Sequence, residues 1–189
     1  YLGHAMITFR NVHALLALVV LFSNHVHAQT AAEIKLLIEN RDSKALTSAT
    51  AFNKANSKLV DSWIYLARAQ MQAGKSDAAV KSAQKAVQLA PNNSQAHFWL
   101  GNAYGMHIGT VGMLGKMSLA PKLRDAFEAT VRLDPENLDA RNGLLLFYLQ
   151  APSMMGGGKD KALLQVKEIS KRDAALGHLA QAQVFLVDK

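Results

Sequence analysis

The sequence predicts an all-α fold in which antiparallel helix hairpins stack side by side, and three observations predict it. Small residues recur 34 positions apart, as in Ala45 and Ala79 or Ala49 and Ala83, and this spacing is typical of repeated helix–turn–helix units. Apolar residues recur at intervals of three and four, which is the period of a helix with one buried face. No segment of the sequence shows the strict alternation expected of a strand.

The repeated small residues have a role in packing. Ala79 and Ala83 allow two antiparallel helices to approach closely, and Leu66 and Leu100 fill the space between them. A hairpin built in this way buries only one of its sides, so neighbouring hairpins must stack to complete the core. The sequence therefore predicts one domain made of stacked units.

Apolar periodicity and helix-breaking residues place the helices in order. Pro91 and Pro135 end helices, because proline lacks an N–H group and disfavours helical geometry in the residue before it. The asparagines that follow each proline supply turn chemistry before the next helix. The first predicted helix is apolar on much of its surface, so it either packs inside the stack or covers a dimer contact. The predicted helices span residues 30–40, 43–56, 60–73, 76–90, 94–107, 118–133, 138–150, 159–172 and 174–186.

The stretch 60–93 carries the clearest repeat. It contains, in order, Trp63, Leu66, Ala67, Gly74, Ala79, Ala83, Ala86 and Pro91. At these positions the chain resembles the tetratricopeptide repeat (TPR) family, and the resemblance covers about residues 30–173. It implies a TPR-like α-solenoid, which is a right-handed superhelix of antiparallel helix hairpins, with a C-terminal capping helix at residues 174–187.

The repeats within the domain at residues 29–189 are unequal. We place them at 26–59, 60–93, 94–137 and 138–173, and the third contains an insertion at 106–117. Four further segments make the chain similar to small exported bacterial TPR proteins, a largely uncharacterised group, so this narrower resemblance implies a fold and a compartment more than an activity. Those segments are 101–122, 133–135, 147–152 and 156–159.

Residues 1–28 have the pattern of a secretory signal peptide, with Met6 as the natural start. Arg10 precedes an apolar run at 14–22, and Val26-His27-Ala28 places small residues at both flanks of a cleavage site. The apolar run is too short to span a bilayer, which needs about 20 residues. The sequence therefore predicts export, most simply to the bacterial periplasm, as a soluble protein that does not span the membrane.

Composition excludes several kinds of site. The chain contains no cysteine, which excludes disulfides, thiolate metal sites and the lipid anchor of a bacterial lipoprotein. Its net charge of +7 is scattered, and many basic residues stand at helical spacing from acids, as Arg124 does from Glu128. No basic stripe is interleaved with aromatic residues, so nucleic acid is not a predicted partner. An anionic partner or membrane surface remains open.

In the TPR family the first helix of each repeat lines the concave face, and the resemblance implies which side chains lie there. Arg68 and Asn102 occupy the same repeat position, and together with Asn142 they offer a guanidinium and two amides to a peptide carboxylate or backbone. The apolar side chains beside them suit an amphipathic helix or an extended segment. The alternative is that all of them only pack or solvate the inner face. The predicted binding residues are Arg68, Gln72, Phe98, Asn102, Met106, Asn142 and Leu146.

Most methionines beyond residue 28 lie in two glycine-rich segments, 106–117 and 153–158, which we predict to be loops. Thioethers and the imidazole of His107 are ligand types suited to Cu(I). The spacing is irregular and only one histidine is near, so methionine as an adaptable filler of an irregular core or partner surface is the favoured interpretation. No metal site and no cofactor are predicted.

No catalytic set emerges from the sequence. The glycines at 156–158 precede Lys159 as in a phosphate loop, but Asp160 stands where Ser or Thr would bind magnesium. His97 and His178 have no serine or carboxylate partner in a known motif. We therefore expect a non-enzymatic module that binds a protein or peptide, as a scaffold or adaptor. The alternative is a periplasmic protein that binds a small molecule or metal with the concave groove and the Met/Gly-rich insertion, and a homo-oligomer remains open.

Overall fold

The computed structural model describes residues 30–187, and this part of the chain is helical and contains no strand. The predicted signal peptide at 1–28 lies outside the described residues, as does Met6. Residues 30–39 form helix α1. The helices that follow are α2 (Ala45–Ala55), α3 (Val60–Gln72), α4 (Ser76–Leu89), α5 (Ser94–Ile108), α6 (Met113–Leu133), α7 (Leu138–Gln150), α8 (Lys159–Arg172) and α9 (Ala174–Val187), with a short 3-10 helix (Ser153–Met155) before α8.

The helices pack in chain order. From α2 to α9 each helix packs against the next one, and further contacts join α3 to α5 and α7 to α9. These further contacts connect the first helices of successive hairpins, so the hairpins stack side by side. The predicted all-α fold of stacked hairpins is confirmed.

Small residues lie where the helices approach most closely. Ala67, Ala79 and Ala83 are fully buried, in one cluster with Leu100 and Tyr104. A larger side chain at any of these alanines would force its neighbours apart, at a cost of about 1–3 kcal/mol for a well-packed core. The small residues that marked the repeat in the sequence are thus the residues that allow its packing.

Helix α1 packs one side against α2 at one end of the stack, and the predicted alternative of a dimer contact stays a prediction. Ile34 and Ile38 are buried with Ala45, Ala49 and Phe52 of α2. The opposite side of α1 remains exposed.

The two prolines end helices as predicted. Ala90 and Asp134 each stand directly before a proline, and their ψ angles of 82° and 87° end α4 and α6. Asn93 and Asn137 then cap the next helices, because each side chain accepts a hydrogen bond from the N–H three residues later, at 3.0 and 2.9 Å. The turn chemistry after each proline is therefore an N-cap.

The prediction that residues 106–117 form a loop is wrong. Helix α5 continues to Ile108 and α6 begins at Met113 instead of residue 118, so only residues 109–112 connect them. Gly115 lies within α6, where a Cβ atom would stand 2.8 Å from the side chain of Val111, so glycine there serves close packing and not a bend. The insertion therefore lengthens both helices of this hairpin and carries the methionines on helical surfaces.

The other glycine-rich segment does form the predicted break. Gly156 has a φ of +93° after the 3-10 helix and Gly158 a φ of +153° before α8, conformations that favour glycine. Helix α9 covers the last hairpin, with Gly177, Ala180 and Val184 buried. Among the described residues, no helix is both long enough and apolar enough to cross a membrane.

Candidate functional site

A cleft of about 910 Å³ lies between α5 and α7, and α6 forms its floor. Both walls are first helices of successive hairpins, so they run in the same direction and the cleft extends along them. The α5 wall presents Phe98, Asn102 and Met106, and the α7 wall presents Asn142, Leu146 and Gln150. The floor presents Ala120, Leu123 and Phe127.

The ring of Phe127 sets the distance between the two walls. A Cβ atom on Gly101 of α5 would lie 2.7 Å from Cε1 of this ring, and one on Gly143 of α7 would lie 2.7 Å from Cε2. Carbon atoms in contact lie about 3.5–4.0 Å apart, so neither position has room for a side chain. The ring is buried and its centroid lies 6.2 Å from that of Phe98. Glycine on both walls therefore lets the two helix backbones rest directly against the floor.

Polar groups stand at defined places around this apolar floor. Asn102 donates through Nδ2 to the carbonyl oxygen of Phe98 at 2.9 Å, which holds its amide along its own helix. Asn142 lines the opposite wall. Asp139 lies in the first turn of α7 and Lys116 in the first turn of α6, so the carboxylate and the ammonium lie at opposite ends of the cleft. The cleft thus has an apolar floor, amide side chains on both walls, a carboxylate at one end and an ammonium group at the other.

Three methionines gather at the end of the cleft where α5 stops. Met106, Met113 and Met155 all line it, and Met113 is 72% exposed. His107 does not join them, because its Nδ1 lies 3.0 Å from Oγ of Ser76 on the α4 side. The described residues also contain no group of three or more His, Cys, Asp and Glu that could hold a metal ion. Unbranched, polarisable side chains at a rim suit a surface that adapts to its partner.

Two of the predicted binding residues, Arg68 and Gln72, lie outside the cleft. The guanidinium carbon of Arg68 stands 4.5 Å from the ring centroid of Trp99, and its Nε is buried with no hydrogen-bond partner among the described residues. Burial lowers the pKa of Arg68, while Glu39 and Tyr65 act in the opposite direction. Gln72 donates to the carbonyl oxygen of Ile38 at 3.4 Å. The structure therefore brings together Phe98, Asn102, Met106, Asn142 and Leu146, and leaves Arg68 and Gln72 one hairpin away.

The sequence did not predict the floor of the cleft. Neither Phe127 nor Gly143 is among the predicted binding residues. A signal for Gly143 existed, because the residue five positions before Tyr104 is Trp99, whereas the residue five positions before Tyr148 is Gly143. A glycine at the repeat position that holds a large aromatic side chain in the preceding hairpin indicates a close approach of a neighbouring element, which here is the ring of Phe127.

Comparison with known proteins supports the fold. Residues 67–107, which include α4 and most of α5, match the family model of the TPR repeat. No curated protein matches the chain.

Among solved structures, the thermophilic TPR protein TTC0263 of Thermus thermophilus is 18% identical, with a TM-score of 0.69 over 85% of this chain and 81% of that one. Two crystal structures of MamA are 21% and 19% identical, with TM-scores of 0.59 and 0.61, and cover 75% and 85% of this chain and 75% and 84% of theirs. Identities this low show the fold alone. The match therefore supports the resemblance to the TPR repeat at residues 67–107, and the solved structures confirm the stacked-hairpin fold.

Proposed function

We propose that this chain, which has the tetratricopeptide-repeat fold, is a non-catalytic module that binds a protein or peptide segment in the cleft between α5 and α7. The observation that carries the proposal is the cleft itself: an apolar floor around Phe127, amides on both walls and an exposed rim that includes Leu146. Repeat solenoids bind partners on the concave surfaces that their curvature creates.

The geometry favours a segment of polypeptide over an enclosed small molecule. Leu146 and Met113, 38% and 72% exposed, stand at the border of the cleft, so an occupant would cover apolar rim as well as floor. A helix or strand with large apolar side chains matches this surface. A basic residue near Asp139 and an acidic residue near Lys116 would complement the two ends.

Support for a role without catalysis comes from the histidines. Nε2 of His97 lies 2.8 Å from the carbonyl oxygen of Pro91, and His107 is bonded to Ser76 and Thr110. These two imidazoles thus take part in local structural contacts. We also propose that the protein acts in the bacterial periplasm, on the basis of the signal pattern at residues 1–28. N-terminal sequencing of the secreted form would test this, with Gln29 as the expected first residue; a chain that retains Arg10 would contradict it.

The cleft can be tested with defined peptides. Peptides selected from a random display library on the native chain would be synthesised, and their Kd measured by calorimetry for the native chain and for Leu146→Glu. A carboxylate placed against a buried apolar surface costs at least about 1.4 kcal/mol, which is a tenfold or greater loss of affinity.

The matched control is Leu89→Glu, because Leu89 is 39% exposed, close to Leu146 at 38%, but lies at the end of α4 outside the cleft. Unchanged affinity of Leu89→Glu together with weakened binding by Leu146→Glu is the expected pair of results. Equal affinity for all three proteins, or the absence of any enriched peptide, would contradict the proposed site.

A further inference from the structure

Helix α9 takes the place of a first helix in the stack. It packs against α8 and also contacts α7, just as α5 packs against α4 and also contacts α3. In the earlier hairpins such a helix is covered by the second helix of its own hairpin, as α5 is by α6. Among the described residues no second helix covers α9, so the side of α9 that faces away from α8 is open.

The open side of α9 carries a regular apolar stripe. Ala175, Leu179, Ala182 and Leu186 follow one another at intervals of four, three and four residues, and all four are exposed. Leu179 is 61% and Leu186 70% exposed. This spacing matches the a and d positions of a coiled coil, along which a second helix can pack.

The stripe is uncharged and self-complementary. From Ala174 to Val187 the helix contains no Lys, Arg, Asp or Glu, so two copies can meet without repulsion between like charges. Small and large residues alternate along the stripe. In an antiparallel pair centred between Leu179 and Ala182, each leucine of one helix lies opposite an alanine of the other, which allows close packing of both.

We propose that α9 pairs with α9 of a second copy of this chain about a two-fold axis perpendicular to the helices. The antiparallel neighbour stands where the second helix of a hairpin would stand, and the two solenoids join end to end. Leu179 of one copy lies opposite Ala182 of the second, and Leu186 opposite Ala175. A two-fold axis generates this antiparallel relation with the same surface on both subunits.

The size of the helix predicts the strength of the dimer. The 14 residues of α9 span about 21 Å, and one such helix offers less than the roughly 800 Å² per partner of a standard stable interface. The expected dimer is therefore reversible, with a Kd in the micromolar range, and its population depends on concentration.

Sedimentation velocity over a concentration series up to about 100 µM tests the proposal, because a micromolar Kd predicts mostly dimer at that concentration. Leu179→Glu is expected to weaken association at least about tenfold, since it places a carboxylate in the seam. Leu36→Glu is the matched control: Leu36 is 57% exposed, close to Leu179, but lies on α1 at the other end of the stack. A native chain that stays monomeric, or a Leu179→Glu chain that associates like the native one, would overturn the proposal.

A mixing experiment tests the register. Ala182→Lys is also expected to be monomeric, because two lysines would enter the seam. In a mixture, Glu at 179 of one variant lies opposite Lys at 182 of the other, so a heterodimer should form although neither variant associates alone. A parallel pair would place position 179 opposite 179 and give no such rescue. Absence of a heterodimer would refute the antiparallel pairing; circular dichroism checks that each variant is folded.

Discussion

Alanine in place of Gly143 should distort the floor of the cleft. Its Cβ atom would lie 2.7 Å from Cε2 of Phe127, about 0.8 Å short of ordinary carbon–carbon contact. The ring cannot retreat toward the opposite wall, because Gly101 already meets its other edge with the same closeness. Overpacking of a core costs about 1–3 kcal/mol, whereas alanine itself favours a helix over glycine by about 1 kcal/mol. We therefore expect a net loss of stability of up to about 2 kcal/mol.

Gly105→Ala provides the matched control within the same cleft. Gly105 also lies in a helix, but its Cβ atom would stand 3.4 Å from Leu123, which is ordinary contact. This change should stabilise the protein by about 0.5–1 kcal/mol through helix propensity. Urea unfolding followed by circular dichroism measures both effects.

A double-mutant cycle assigns the effect of Gly143→Ala to the ring. In a Phe127→Leu background the steric conflict is absent, so Gly143→Ala should become neutral or stabilising. This difference between the two backgrounds in the effect of Gly143→Ala on the free energy of unfolding corresponds to a coupling energy between positions 143 and 127 of about 1 kcal/mol or more, as expected for residues in contact. If Gly143→Ala stabilises the native chain as Gly105→Ala does, or if its effect is the same in both backgrounds, the ring does not set the distance between the walls.

Three other outcomes follow from local contacts. Asn93→Ala removes the N-cap of α5 and should lower the free energy of unfolding by about 1 kcal/mol in urea, and an unchanged midpoint would contradict the cap. Hydrogen bonds from Lys171 and Arg172 lower the pKa of Glu168 from 4.5 to about 2. Because the pKa of Glu168 is lower in the folded chain than in the unfolded chain, the stabilisation from these hydrogen bonds is complete above about pH 4.5 and is lost as the pH falls toward 2. Arg172→Ala should raise the pKa of Glu168 in an NMR titration. An unchanged pKa of Glu168 would disprove its pairing with Arg172. When the protein competes with a chelator for Cu(I), the copper should stay with the chelator, because the ring of His107 faces Ser76 of α4 and not the methionines. Transfer of copper from the chelator to the protein would indicate a metal site.

Much of the fold was predictable because its determinants are local. Pro91 and Pro135 end helices by the chemistry of a single residue, and the 34-residue recurrence of small side chains reflects the packing of adjacent helices. The start of α6 was not predictable in the same way. Glycines between residues 105 and 115 resemble those of a loop, yet Gly115 serves a close contact with Val111 inside a helix. Tertiary packing overrides the intrinsic preference of glycine at that position.

The walls of the cleft were easier to predict than its floor. Phe98, Asn102, Asn142 and Leu146 follow from the position of first helices on the concave face, a property of the repeat. Phe127 belongs to a second helix, which the repeat pattern assigns to the core. It becomes a floor only because glycine stands beside it on both walls, and this combination depends on three residues that are far apart in sequence.

The most direct test of peptide binding in the cleft is NMR mapping of a selected peptide on the labelled chain. Binding between α5 and α7 should move the amide signals of Gly101, Asn102, Gly143 and Leu146 the most, and leave α3 and α9 little changed. Shifts concentrated around Arg68 on α3, or along α9, with the signals of Gly101 and Gly143 unmoved, would contradict it.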